Sequence, residues 1–179
     1  MQPINVPERS LIVLVGASGS GKSTFARKHF KPTEILSSDA CRGLVSDDES
    51  SMAATDDAFE VLYFIAKKRL ARRLLTVVDA TNVQPEARKP LVTLSLAYHA
   101  LPVAIVLDVP EALCHERNAQ RPDRSFGRNV VRQHVRSLRA SLPMLELEGF
   151  RHVFVFDSLE AIEAATVERQ PSLQRQNNP

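Results

Sequence analysis

The segment best suited to chemistry is a loop of the form G-x-x-x-x-G-K-S, from Gly16 to Ser23. Glycines at these positions let backbone N–H groups turn inward around an anion, at dihedral angles that a side chain resists. Lys22 is then placed to reach the β- and γ-phosphates of a nucleotide, and Ser23 to offer its hydroxyl to Mg²⁺. The pattern predicts a binding loop for a nucleoside triphosphate; a turn without function is the alternative. The predicted nucleotide contacts in this loop are Gly16, Ser18, Gly19, Ser20, Gly21, Lys22, Ser23 and Thr24.

A carboxylate and an arginine follow the next short apolar run, at residues 34–36. Asp39 and Arg42 are three residues apart, which places them on one face of a helix. Ligands of open parallel sheets bind where the strands end. Asp39 is therefore a candidate base for an acceptor hydroxyl, and Arg42 a candidate ligand for an acceptor phosphate. The spacing fits a helix cap beside a solvated arginine equally well.

A second carboxylate, Asp79, ends the apolar run at residues 76–78. This position resembles the Walker B aspartate, which supports Mg²⁺, usually through water. Binding of substrate, or a purely structural role in the following turn, remains open for Asp79.

Three arginines follow the apolar run at residues 103–107. Arg117, Arg121 and Arg124 are separated by four and then three residues, so they share one side of a helix and its exit. Beside a phosphate-binding loop this arrangement favours a lid that closes over phosphates, since the planar guanidinium binds phosphate oxygens in pairs. In isolation the same pattern is typical of a solvated helix face.

The elements that must position these residues alternate along the chain. Strand-length apolar runs at 11–15, 34–36, 76–78, 103–107 and 152–156 are separated by helical patterns, among them 53–73 and 130–147. Continuous apolar strands require cover on both faces, which predicts a parallel β-sheet flanked by helices. Pro85 fits the first turn of another helix, and Pro143 is expected to bend or end the helix at 130–147. The fold class is therefore α/β.

The composition of the chain limits which partners and which cellular location can be expected. The chain has 179 residues and a net charge of +2, so nucleic-acid binding would need a local basic cluster. Two distant cysteines without metal-ligand spacing indicate buried, reduced thiols. The absence of a signal sequence or spanning helix predicts a cytoplasmic protein without a membrane partner. We expect one domain over residues 1–165 and a polar tail over 166–179, the start of a linker in a longer protein.

Five segments together closely resemble the 5′-polynucleotide kinase domain of bacterial polynucleotide kinase-phosphatases, enzymes of RNA repair. They read GASGSGKSTFA, SSDACRGLVSDD, DAFEVLYFIAKKRL, TVVDATNVQPEARKPL and ERNAQRPDR. The likeness runs from about residue 5 to residue 157. Small-molecule P-loop kinases share only the loop, a carboxylate of the Asp39 type and the lid.

The resemblance implies a P-loop kinase fold with an arginine-bearing lid and a set of residue roles. Lys22 and Ser23 would act at phosphate and Mg²⁺, Asp39 would activate a 5′-hydroxyl, and Arg42 would hold the acceptor strand's phosphate. The implied catalytic residues are Lys22, Asp39, Arg117 and Arg121, the two arginines clamping the donor phosphates; Arg124 matches more loosely.

The implied reaction moves the γ-phosphate of ATP, or of another nucleoside triphosphate, to the 5′-hydroxyl end of RNA or DNA, with Mg²⁺. In the family the kinase precedes phosphatase and ligase-like domains, so fusion to such domains is expected. Met52 stands where we expect a glutamine, which puts one acceptor or lid contact in doubt. A kinase of a small metabolite and a non-catalytic nucleotide switch remain rival functions, and homodimer formation stays open.

Overall fold

The computed structural model describes residues 3–120 and 127–171. Its strands are β1 (Ile4–Pro7), β2 (Ser10–Gly16), β3 (Ile35–Ser37), β4 (Thr76–Asp79), β5 (Leu101–Leu107), β6 (His152–Phe156) and β7 (Val167–Gln170). Its α-helices are α1 (Lys22–His29), α2 (Ser38–Ser46), α3 (Thr55–Ala71), α4 (Pro85–Ala97), α5 (Glu111–Ala119), α6 (Arg128–Ser141) and α7 (Leu159–Glu163). Single 3₁₀ turns cover Pro32–Glu34, Met52–Ala54 and Leu142–Met144.

Five of the strands form one parallel sheet in the order β3-β4-β2-β5-β6. Every residue of the central strand β2 is buried. Leu11 and Val13 join the apolar cluster beneath α3 and α4, whereas Ile12 and Leu14 join the cluster that includes Phe25 of α1. Alternate side chains thus feed cores on opposite faces of the sheet. The predicted α/β fold, a parallel sheet flanked by helices, is confirmed.

The predicted elements differ from the observed ones mainly at their ends. The helix expected at 53–73 spans Thr55–Ala71, and the pattern at 130–147 divides into α6 and the 3₁₀ turn Leu142–Met144. Pro143 lies in that turn, in keeping with its expected helix-ending role. Among the described residues, no helix has both the length and the apolar character needed to cross a membrane.

A second, two-stranded sheet pairs β1 with β7 in parallel and corrects the expected tail. Residues 167–170, placed by the sequence analysis in a polar tail from 166, form a strand. Arg169 donates hydrogen bonds of 2.8 and 2.7 Å to the Glu34 carboxylate. Burial disfavours ionisation of Glu34, but the hydrogen bonds from Arg169 and from the Lys31 backbone outweigh it and lower the carboxyl pKa. Strand β7 lacked an apolar signature because three of its four side chains are exposed.

A buried ion pair fastens α4 to the turn after α6. The Arg88 side chain is fully buried and donates to both Glu148 carboxylate oxygens, at 2.7 and 2.5 Å, and to the Asn82 carbonyl oxygen at 2.9 Å. The pair therefore holds the segment after β4, which borders the candidate site, against the distant turn.

Glu148→Ala is expected to lower the free energy of unfolding by about 3–5 kcal/mol, because it leaves the Arg88 charge buried without its partner. Chemical denaturation measures the change. Glu146→Ala is the matched control, since Glu146 is exposed in the same turn. Equal stability losses in the two variants would contradict a structural role for the ion pair.

Candidate active site

The glycine-rich loop joins the end of β2 to the start of α1. Gly19 and Gly21 have φ angles of 84° and 99°, in the left-handed region that glycine tolerates best. A Cβ on Gly19 would collide with the carbonyl oxygen of Cys114, so backbone must approach backbone there. The first turn of α1 carries no acidic residue, which leaves the positive end of its dipole unopposed by a local carboxylate. The loop is built to surround an anion.

Lys22 begins α1 and reaches back across the loop. Its Nζ donates hydrogen bonds of 2.8 Å to the carbonyl oxygens of Gly16 and Ala17. The side chain is buried, with 8% of the residue exposed. The ammonium group is therefore held by the loop itself, at the wall of a cavity.

That cavity has a volume of about 270 Å³ and brings together predicted residues from three elements. The predicted residues that line it are Ser18, Gly19, Gly21, Lys22, Ser23, Asp39, Arg42 and Asp79. The ends of β2, β3 and β4 meet at this edge of the sheet because the three strands are parallel and adjacent. Groups far apart in the sequence thus share one space.

Asp39 and Arg42 form an ion pair on α2. Arg42 Nη1 donates to Asp39 Oδ1 at 2.5 Å, and Arg42 Nε donates to Thr55 Oγ1 at 3.3 Å. Ser37 provides the cap of α2, since its hydroxyl accepts a hydrogen bond from the Ala40 N–H. Arg42 is only 5% exposed. The alternative of a capping Asp39 beside a solvated arginine is therefore wrong, and both side chains face the cavity with a fixed mutual orientation.

Asp79 ends β4 and is almost fully buried against the same cavity. Asn82, three residues later, adopts a φ of 48° and donates from Nδ2 to the Leu14 carbonyl oxygen at 2.8 Å. Within the described part of the chain, the buried Oδ1 of Asn82 has no hydrogen-bond partner. Asn82 is not among the residues predicted from the sequence, although its place just after a buried strand was a usable signal.

A second cavity of about 290 Å³ lies on the other side of the loop. It adds three predicted nucleotide contacts that do not line the first cavity, Ser20, Thr24 and Arg117, and it is also lined by Leu159 and Ile162 of α7. Gly19 and Gly21 line both cavities, so the loop lies between them.

Helix α5 is fixed against the loop, which places Arg117 beside it. Ser18 Oγ donates to Asn118 Oδ1 at 3.2 Å, and both residues are buried. Burial also raises the pKa of the Cys114 thiol, which keeps it neutral beneath the loop. Both cysteines are free and buried, as expected. Arg121 and Arg124 lie outside the described residues.

The sequence matches the family described as AAA domain over residues 11–145. The chain belongs to this AAA domain family. The matched segment includes the glycine-rich loop, Asp39, Arg42, Asp79 and Arg117, but not α7, which lines the second cavity. A search of curated proteins found no match.

Several solved structures share the fold at low identity. A chain in the structure of the Pnkp1/Rnl/Hen1 RNA repair complex is 23% identical, with a TM-score of 0.66, over 77% of this chain and 46% of that one. A gluconokinase from Sinorhizobium meliloti is 19% identical, with a TM-score of 0.55, over 88% and 87% of the two chains. Kti12 from Chaetomium thermophilum, in complex with ADP-AlF3, is 18% identical, with a TM-score of 0.61, over 86% and 93%.

These similarities show that the AAA domain of this chain has a P-loop kinase fold. The chain spans less than half the length of its counterpart in the RNA repair complex. Because kinases of different acceptors share the fold, the acceptor has to be inferred from the site itself.

Proposed function

We propose that the protein is an ATP- and Mg²⁺-dependent kinase of 5′-hydroxyl polynucleotide ends. The observation that carries the proposal is the single cavity in which Lys22 of the loop lies together with the Asp39–Arg42 ion pair. A phosphate-binding lysine and a carboxylate held by an arginine are the two halves of a phosphoryl transfer site, one for the donor and one for the acceptor.

On the donor side, the loop N–H groups and Lys22 would bind the β- and γ-phosphates, with Arg117 reaching them from α5. The second cavity would hold the nucleoside part of ATP, because its apolar residues Leu159 and Ile162 suit a purine and the cavity adjoins the loop. Arg121 and Arg124 remain predicted parts of the lid.

Ser23 and Asp79 have the chemistry to support Mg²⁺. Both present oxygen atoms to the cavity that contains Lys22, and Mg²⁺ prefers oxygen ligands while keeping several waters. Within the described residues no group of three or more His, Cys, Asp or Glu side chains that could hold a metal ion occurs. When bound, Mg²⁺ would neutralise charge on the donor phosphates.

On the acceptor side, the cavity wall combines polar side chains with an apolar part that suits a nucleobase. Met52, which is 58% exposed, lines the wall together with Phe59, Ala80 and Ala87. A sugar or a small hydroxy acid needs several hydrogen-bonding partners for its hydroxyls, whereas a nucleobase packs against apolar side chains. Met52 in place of a glutamine fits such a surface. Similarity to a chain of an RNA repair complex also supports this choice.

The proposed transfer proceeds in line. The Asp39 carboxylate, oriented by Arg42, accepts the proton of the 5′-hydroxyl as its oxygen bonds to the γ-phosphorus. The bond from that phosphorus to the β–γ bridging oxygen breaks, and ADP leaves. Arg42 would also contact the phosphodiester next to the terminal nucleoside, because its guanidinium is paired with Asp39, which would act on the reacting hydroxyl. Positioning and charge neutralisation account for most of the rate.

The rival functions make different demands on the site. A metabolite kinase would use the same donor residues but would not need an arginine for a phosphodiester. A nucleotide switch needs no carboxylate directed at an acceptor, and the Asp39–Arg42 pair in the cavity argues against it. Labelled ATP with a 5′-hydroxyl oligonucleotide, with and without Mg²⁺, separates the three functions.

Arg42→Ala is expected to raise the KM for a 5′-hydroxyl oligonucleotide roughly ten- to a hundredfold, the effect of losing a hydrogen bond of about 1.5–3 kcal/mol to a charged group. The KM for ATP should stay unchanged, and added salt should weaken oligonucleotide use less in the variant than in the wild type. Steady-state kinetics at two salt concentrations measure both effects. Arg151→Ala, at an exposed arginine far along the chain, is the control.

A small-metabolite acceptor would give another result. In that case a 3′-phosphorylated nucleoside and an unphosphorylated nucleoside would be used equally well, and Arg42→Ala would change the use of both to the same extent.

A further inference from the structure

A groove of about 780 Å³ runs between helices α3 and α4, outside the site described above. It is lined mainly by apolar surface, with charged side chains along it. The lining residues are Glu60, Tyr63, Phe64, Lys67, Lys89, Pro90, Thr93, Leu94 and Ala97. None of the proposed catalytic residues belongs to this set.

The groove and the acceptor side of the cavity are bordered by the same two helices, at successive positions along each helix. On α3, Thr55 and Phe59 line the cavity, and the groove begins with Glu60 and Tyr63. On α4, Ala87 lines the cavity and Lys89 lines the groove. The rings of Phe59 and Tyr63 lie 6.0 Å apart, one helical turn along this direction. From Thr55 to Lys67, α3 extends about 18 Å, at about 1.5 Å of rise per residue.

The side chains of the groove combine exposed aromatic surface with positive charge. Phe64 is 61% exposed, and Lys68 Nζ lies 5.2 Å from the centre of its ring. Lys67 and Lys89 line the groove itself, against one carboxylate, Glu60. Burial raises the pKa of the Tyr63 phenol, so this ring adds no negative charge. Aromatic platforms beside a basic track are the features by which proteins hold single-stranded nucleic acids without reading sequence.

We propose that the α3–α4 groove binds the nucleotides that follow the 5′ end of a single-stranded acceptor. Bases pack on Phe64 and its apolar neighbours, and backbone phosphates lie near Lys67 and Lys89. The inference rests on the proposed function, which places the 5′-terminal nucleoside in the cavity at the near end of the groove. It adds a second contact region that a short acceptor cannot reach.

The test compares acceptors of different length. The wild-type protein should show a lower KM for a 5′-hydroxyl dodecanucleotide than for a 3′-phosphorylated nucleoside. Phe64→Ala should raise the dodecanucleotide KM at least fivefold, the lower end for loss of one base–aromatic contact, and leave the KM for the nucleoside phosphate unchanged. Lys67→Ala should reduce the salt dependence of dodecanucleotide use. Leu147→Ala, at an apolar residue that is 79% exposed, is the matched control.

If Phe64→Ala changes the KM for both acceptors equally, or changes neither KM, the groove proposal is overturned while the proposed function stays intact. If the wild type phosphorylates no oligonucleotide, the proposed function fails, and fluorescence anisotropy with a labelled dodecanucleotide decides on the groove alone. Weaker binding of the dodecanucleotide by Phe64→Ala than by Leu147→Ala would then support the groove proposal. No binding by the wild type, or equal affinity in the two variants, would overturn the proposal. A wild-type dimer that Phe64→Ala dissociates, seen by analytical ultracentrifugation, would assign the groove to a second copy of the chain and also overturn the proposal.

Discussion

Lys22→Met is expected to lower kcat by a factor of at least about 100, the usual cost of removing one charge that stabilises a developing transition state. The ammonium group should neutralise the β- and γ-phosphate oxygens more strongly as the phosphoryl group departs than in the ground state. Methionine keeps most of the buried aliphatic stem and removes the charge. Single-turnover kinetics with labelled ATP measure the loss.

The hydrogen bonds from Lys22 to Gly16 and Ala17 make a structural control necessary. Circular dichroism and thermal unfolding should show that the variant remains folded. Lys31→Met, at an exposed lysine just after α1, removes a charge of the same kind away from the cavity and should keep full activity. If folded Lys22→Met retains more than about a tenth of the wild-type rate, the assignment of the loop to phosphoryl transfer is wrong.

The features that could be predicted from the sequence are those with a local signature. The glycine pattern of the loop and the continuous apolar run of β2 follow from backbone freedom and from burial on two faces, and both are visible within a few residues. Asp79 was identifiable because it follows such a run directly, and Asp39 because it comes three residues after the end of the short run at 34–36. Their meeting in one cavity then follows from the parallel sheet, in which carboxyl ends share an edge.

The remaining features depend on contacts between distant segments, which leave no local pattern. Arg88 is fully buried only because Glu148, sixty residues away, accepts its hydrogen bonds. Strand β7 is polar and forms only because β1 pairs with it. Asn82 is held by a carbonyl group of β2, and its φ angle is set by that contact and by the turn. The spacing of Asp39 and Arg42 likewise does not show whether Asp39 caps α2 or pairs with Arg42. The structure decides this, because Ser37 caps the helix.

Asp39→Asn is expected to reduce phosphoryl transfer by a factor of about 10² to 10⁴, the range for loss of a general base, while ATP·Mg²⁺ binds with unchanged affinity. Asparagine has the same shape and still offers Oδ1 to Arg42, so the ion pair becomes a hydrogen bond and α2 should keep its position. What is lost is the basicity needed to take the proton of the acceptor hydroxyl. Calorimetry of ATP·Mg²⁺ binding and a kinase assay on the same preparation separate the two effects.

Asp57→Asn provides the matched control, because Asp57 is an exposed carboxylate in the first turn of neighbouring α3. It should leave both binding and transfer unchanged. A joint loss of ATP affinity and transfer in Asp39→Asn would instead place this carboxylate at the metal or in the folding of the site. Asp39 is positioned by α2, whereas the phosphate loop is positioned by β2 and α1. If Asp39 acts on the acceptor, its substitution must therefore reduce phosphoryl transfer without reducing ATP affinity.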